Sequence, residues 1–414
     1  MKNLDLKHID RPFWLLFAIL IVVAVIALFS ASSTLAYEEG SAFGPVLKQV
    51  IFILFGAACA FGIQFLPTWL VRMGGYVLLA FSILCLYLII IPGSPFAANI
   101  NDATRWFKIG AFSFQPSELA KLSLIIVVAD LLSRIKRPED NRRYFFITLA
   151  ITAVTVLPIL IGNLSTAILL SSIVFILWFL ARIEWKYLLS TIGIVIVVAG
   201  LSYTIVEFAY VRPHRQLHGP FQRAITWVSR IDNMVADMQQ PDEDFRLTDA
   251  NYQRSIAKVA VARGGKSPFG VLPGNSQERD FLPLAYADYI FAIIVEETGI
   301  VGAIALCFLY LAILFRACFA SSRYADYSAM LMVMGLALML TCQALVSMAV
   351  AVGLGPVTGQ PLPLISRGGT GAIITSLYFG VMMCVAREQN MLREREQQSL
   401  QTSIEQVPEL NIES

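Results

Sequence analysis

Apolar runs of about 20 residues recur along the whole chain, separated by short polar intervals. They lie near 13–33, 47–65, 72–92, 117–134, 144–162, 164–182, 187–210, 288–316, 327–354 and 369–387. About 20 apolar residues suffice for a helix to cross a bilayer. The pattern predicts an all-α integral membrane protein with about ten transmembrane helices. Residues 144–182 fit one long hairpin or two short spans, and the break at Gly162-Asn163 favours two. The interval 211–287 is far longer than a plain connection. It predicts a partly ordered cap with amphipathic segments such as FQRAITWVSRI, not a separate domain. The division is then a transmembrane domain over 1–387 and a polar tail over 388–414, which continues the last helix briefly and frays.

Composition supports this reading. The 414 residues are 57% hydrophobic and 14% charged, which excludes a soluble domain. A net charge of +2 with no basic block gives no support for nucleic acid as a partner. The six cysteines all fall inside predicted spans and read as small core residues. Ser30-Ala31-Ser32-Ser33 comes near a cleavage signal, but the first run is taken as a retained span. Arg134, Lys136, Arg137, Arg142 and Arg143 crowd one short loop, Arg182 and Lys186 another, and Arg316 and Arg323 a third. With ten spans these loops share a side with both termini, which the positive-inside rule makes cytoplasmic.

Polar groups that no span requires mark the opposite side. In RWFKIGAFSFQPSELAK, Pro116 suits a first helical turn, Glu118 its positive end, and Lys121 pairs with Glu118 one turn on. A capped helix with a local ion pair explains these residues as well as a cationic subsite of Arg105 and Lys121 does. Asp288 stands at the mouth of the eighth run, where it is either a helix cap or a solvent-accessible base in an apolar rim. Glu296 and Glu297 lie about 12 to 14 Å further along the axis. A retaining pair needs about 5 Å, so they are too distant to form one with Asp288. They read as structural acids, with Glu297 favoured as the buried partner. In GPVTGQPLPLISRGGTG the prolines and glycines exclude a regular span, and such backbone at membrane depth must line protein or a cavity. There is no HExxH, CxxC, P-loop or GxSxG pattern, so zinc and triad chemistry have no support.

Together, RWFKIGAFSFQPSELAK, GNSQERDFLPLAYADYIFAIIVEETG and PVTGQPLPLISRGGT resemble the SEDS family (shape, elongation, division and sporulation), and the match covers nearly the whole chain. The tail and PLPLISRGGT are closer to its FtsW branch than to its RodA branch. The resemblance implies an inverting peptidoglycan glycosyltransferase that polymerises lipid II in the bacterial inner membrane, with its site on the extracytoplasmic side. It implies a class B penicillin-binding protein, other division proteins and membrane lipids as partners. It places the catalytic acid on Asp288. It places substrate contacts on Arg105, Gln115, Glu118, Lys121, Gln253, Arg263 and Ser366, with Gly264, Gly265, Gly368 and Gly369 beside them, and the charge of Arg367 adds that residue to the substrate contacts. Leu284, Ala287, Asn163, Arg367 and Thr370 depart from the family pattern, and Arg367 adds a cation. No metal ligand is assigned, although a divalent cation, Mg or Mn, would suit the pyrophosphate leaving group. Two rival readings are a lipid II flippase and a scaffold for the division machinery.

Overall fold

A computed structural model describes residues 8–31, 44–91, 93–100, 103–110, 112–208, 252–282, 286–355 and 358–405. The segment FQRAITWVSRI and Leu284 lie outside the described residues.

All ten apolar runs form helices. They are α1 (Arg11–Ala31), α2 (Gly44–Ile63), α3 (Thr68–Ile90), α4 (Pro116–Leu132), α5 (Asp140–Gly162), α6 (Leu164–Leu180), α7 (Trp185–Val206), α9 (Ile290–Ser321), α10 (Tyr327–Ala351) and α11 (Gly369–Glu405). A further helix, α8 (Tyr252–Gly264), precedes α9. Eight of these helices are long and apolar enough to cross a membrane. The other two runs, α4 and α6, have 17 residues each. That is about 26 Å of helix, slightly short of the hydrocarbon thickness.

The core is built around α4. Every residue from Ala120 to Leu132 is buried, so this helix is enclosed on all sides. At the other extreme, Leu188 is the one buried residue of α7, whose apolar surface faces outward. The 144–182 stretch resolves as two helices broken at Asn163, whose backbone is extended. They fold back on each other, since Trp178 near the end of α6 meets the Phe145 ring and Thr148 near the start of α5. Pro158 inside α5 cannot donate to Val154, and the Tyr87 hydroxyl of α3 donates to that carbonyl instead.

The polar interval between the third and fourth runs is not a plain loop. The structure places a three-stranded antiparallel sheet there, ordered β1 (Ala97–Ile100), β2 (Ala103–Ile109), β3 (Phe112–Phe114). The Phe107 and Phe114 rings pack on each other and over Cys85 and Ile89 of α3. Side chains alternate along a strand, so Arg105 shares a face with the buried Phe107. All six cysteines are free. Cys85 and Cys384 are buried as expected, and Cys318 is exposed.

One end of the bundle gathers fixed ionic contacts. Asp130 of α4 accepts from Tyr76 at 2.8 Å and Arg134 at 2.7 Å, and Arg72 lies 3.8 Å away. Arg316 of α9 pairs with Asp10 just before α1. Glu388 of α11 accepts from the backbone and hydroxyl of Thr68, capping α3. The tail therefore does not fray at once. Its helix continues to Glu405, and Glu394 pairs with His8 at 3.2 Å. The start of α1 and the tail helix therefore meet at this face.

Removing the Asp130 carboxylate takes the acceptor from the Tyr76 hydroxyl and from Arg134, while Arg72 keeps Asp326 at 3.5 Å. Asp130→Ala should lower stability by about 1 to 2 kcal/mol, the scale of hydrogen bonds lost at a partly exposed charge. Thermal unfolding of the detergent-solubilised protein checks this, and an unchanged midpoint would contradict the role.

Candidate active site

The opposite end of the bundle is built from irregular backbone. It holds the sheet, the α5–α6 break, the segment before α9 and the loop between α10 and α11. Asp288 lies in the segment before α9. The N-cap of α9 is Tyr289, not Asp288, and it has no side-chain cap. The Asp288 carboxylate is half-buried, as is the Arg105 side chain.

These two groups converge at Gly359. A Cβ built on Gly359 would lie 3.6 Å from Asp288 Oδ2 and 3.7 Å from Arg105 Nη1. Gly359 has φ +61, a conformation that glycine adopts without strain. Arg105 is oriented by the strand alternation of β2, and its Nε donates to the Gly162 carbonyl at 3.0 Å, at the end of α5. A carboxylate and a guanidinium, both reachable from water, thus share one corner of the bundle.

The α10–α11 loop is fastened to the Asp288 segment. The Ser366 hydroxyl donates to the Ala287 carbonyl at 2.5 Å and accepts from Leu362 N at 2.8 Å. Arg367 N donates to the Tyr286 carbonyl at 2.9 Å, and its guanidinium lies over the Tyr286 ring, 5.2 Å from the centroid. Buried Ser366 therefore holds the loop, while half-buried Arg367 stays near the mouth. Gly368 N donates to Gln49 of α2, and Thr370 lies in the first turn of α11.

Lys121 lies deeper than the proposed cationic subsite requires. It is 1% exposed, and its ammonium is held by Glu118 at 2.7 Å and by Gln343 of α10 at 2.8 Å. The local ion pair foreseen from the sequence is present, with a third partner from another helix. Gln115 is the half-buried N-cap of α4. Asn163 caps α6 by accepting from Thr166 N.

Gln253 and Arg263 both lie on α8, about 15 Å apart along its axis. Arg263 donates to Gln277 and lies 3.7 Å from Glu296 and 3.8 Å from Glu278. The Glu296 carboxylate also accepts from Ser276 and from Gln277 N. Glu297 accepts from Ser30 of α1 and from Gly274 N. Both acids are buried, and the cation goes to Glu296, not to the favoured Glu297. Both carboxylates are thus engaged by groups of the chain itself. α9 itself breaks at Gly299, where φ is +67. The carbonyls of Glu296 and Glu297 then accept from Val271 and Leu272, and Val301 N donates to Pro268. The 268–272 segment completes the broken helix. A lone Gly-Ile-Val within an apolar run carries no signal for this.

Among the described residues no group of three or more His, Cys, Asp or Glu side chains is placed to hold a metal ion.

A family model described as "Cell cycle protein", for FtsW, RodA and SpoVE, matches residues 10–391. The chain is 33% identical over 396 residues to the "Probable peptidoglycan glycosyltransferase FtsW" of Saccharophagus degradans, covering 92% of each. It is 27% identical over 388 residues to the "Peptidoglycan glycosyltransferase MrdB" of Escherichia coli K12, covering 94% of this chain and 96% of that one. Its fold matches a chain from a solved structure described as "Structural coordination of polymerization and crosslinking by a peptidoglycan synthase complex". There the TM-score is 0.70 at 26% identity, covering 92% of this chain and 98% of the other. The fold also matches the rod shape determining protein RodA of Thermus thermophilus, with a TM-score of 0.63 at 23% identity, covering 93% and 99%.

Gly359→Val would place branched carbons between the carboxylate and the guanidinium at an unfavourable φ. A misplacement of about 1 Å at such a site lowers turnover by roughly 100-fold. Activity should fall on that scale while the protein still elutes as a folded species on size-exclusion. Wild-type turnover would contradict the convergence.

Proposed function

This chain belongs to the FtsW, RodA and SpoVE family, and we propose that it polymerises lipid II with Asp288 as general base. It is a peptidoglycan glycosyltransferase, and its many apolar helices make it a multi-pass membrane protein. The observation that carries the residue assignment is the meeting of the Asp288 carboxylate and the Arg105 guanidinium at Gly359.

The donor carries an anomeric carbon bonded to a lipid pyrophosphate. Asp288 takes the proton from the 4-hydroxyl of the acceptor sugar as that oxygen attacks the anomeric carbon. The bond from that carbon to the pyrophosphate oxygen breaks, and the pyrophosphate leaves with the electron pair. A single displacement inverts an α-linked donor into a β-1,4 bond. Arg105 faces the departing charge, with Arg367 beside the same mouth. Lys121 acts from beneath, holding Glu118 and Gln343, and touches no substrate. A site at the end of the bundle lets sugars stay in water while lipid chains lie along the spans. No step is routed through a resident metal.

The basic short loops, at the same end as the start of α1 and the tail helix, support a cytoplasmic assignment for that end and an extracytoplasmic one for Asp288 in a bacterial inner membrane. The FtsW likeness favours a role in septal wall synthesis. A neighbouring fold comes from a complex described as coordinating polymerization and crosslinking. It supports a class B penicillin-binding protein as the working partner, beside other division proteins.

Purified protein, with and without its transpeptidase partner, is assayed for lipid II polymerisation. Asp288→Asn should lower the rate by about 10²- to 10⁴-fold, the contribution of a positioned base. Full polymer from the folded variant would remove Asp288 from the mechanism. Arg105→Ala should be poor and Arg105→Lys intermediate, because a lysine restores charge without the planar fork. Equal rates for the two variants would argue against pyrophosphate contact.

A further inference from the structure

We propose that Gln343 is a positioning residue for the transfer, its side-chain amide linking the buried Glu118–Lys121 pair to the loop that shapes the Asp288 mouth. This rests on the reading of Asp288 as base. Gln343 lies in α10, 5% exposed, in a run with no motif. Its Oε1 accepts from Lys121 Nζ at 2.8 Å, and its Nε2 donates to the Pro361 carbonyl at 3.0 Å. Both ends of one planar amide are therefore engaged. Lys121 completes its set with Glu118 at 2.7 Å. An ammonium donates and cannot accept, so the partner that turns its direction toward a carbonyl must carry an acceptor and a donor together.

The loop needs such a hold. Pro361 and Pro363 have no N–H, so regular backbone pairing is blocked there. Leu364 has φ +66, a strained conformation for a branched side chain. Strain of this kind persists only where the surroundings over-determine it. Three contacts do so. Gln343 holds the Pro361 carbonyl, the buried Tyr310 hydroxyl donates to the Pro363 carbonyl at 2.6 Å, and Ser366 holds Ala287. Pro361 lies two residues from Gly359, where the carboxylate and guanidinium meet. The amide thus sets the height of Gly359 above a buried charge pair that cannot move cheaply. A buried ion pair serves here as a fixed reference point for a loop.

Two substitutions separate the two ends of the amide. Gln343→Met removes both contacts. Gln343→Glu keeps an acceptor for Lys121 and loses the N–H donor to Pro361. Each full-length variant, with its transpeptidase partner, is measured for kcat and KM on lipid II. Hydrogen exchange is followed over 286–289 and 358–366. Both variants should lose about tenfold or more in kcat, the scale of a sub-ångström misplacement, with KM changed far less. Both should exchange faster in the loop, while α10 stays protected. Wild-type kcat and loop protection in Gln343→Glu would overturn the proposal, because the residue would then only neutralise Lys121. If Gln343→Met fails to fold, Gln343→Glu alone decides. Asp288→Asn, run alongside, keeps the two readings apart. Its full activity would remove the base assignment, while the exchange data would still judge the tether.

Discussion

A bilayer offers no water to a stray backbone carbonyl, so every departure from helix at membrane depth must be answered by another part of the protein. This constraint organises the whole structure. Where α9 breaks at Gly299, the 268–272 segment supplies N–H groups to the freed Glu296 and Glu297 carbonyls. Where Pro158 interrupts α5, Tyr87 supplies a hydroxyl. Where the α10–α11 loop runs through Pro361 and Pro363, Gln343 and Tyr310 hold their carbonyls. The site exists because these repairs leave a non-helical loop rigid enough to face a carboxylate.

Charge is divided between the two ends in a related way. At the end holding the start of α1 and the tail helix, carboxylates and guanidinium groups close on one another: Asp130 with Arg134, Asp10 with Arg316. Such pairs fasten helices together and offer little to a substrate. At the other end Asp288 and Arg105 remain half-buried, at the mouth of the bundle. Between the two ends, Lys121 and Glu118 form a pair enclosed by α4 and α10. A catalytic base must meet solvent and substrate, whereas a fixed reference must not.

The candidate site was legible where chemistry breaks the apolar pattern. Asp288, Arg105 and the Gly359–Ser366 loop all interrupt oily sequence, and all three converge. Lys121 was legible as a charge but not as a depth, because spacing places it on a helix face without saying what covers that face. Arg263 was read as a substrate contact, and its guanidinium lies on Glu296, Gln277 and Glu278 of the chain itself. The sheet over 97–114 was partly legible. Arg105 and Phe107 alternate with Trp106 and Lys108, but seven residues of alternation inside a polar interval read equally as loop.

The sequence by itself determined the number of apolar runs, the shared side of the basic loops and the acid at the mouth of the eighth run. These follow from the length of hydrocarbon to be crossed and from the expense of charge within it, both of which act on local sequence. Only the tertiary structure decided that Gln343 joins an ion pair to a loop and that Glu296 takes the arginine. It alone decided that Asp288 meets Arg105 at one glycine. Those outcomes depend on which side chains end within about 3 to 4 Å of each other, and residues far apart in the chain reach that distance only through packing.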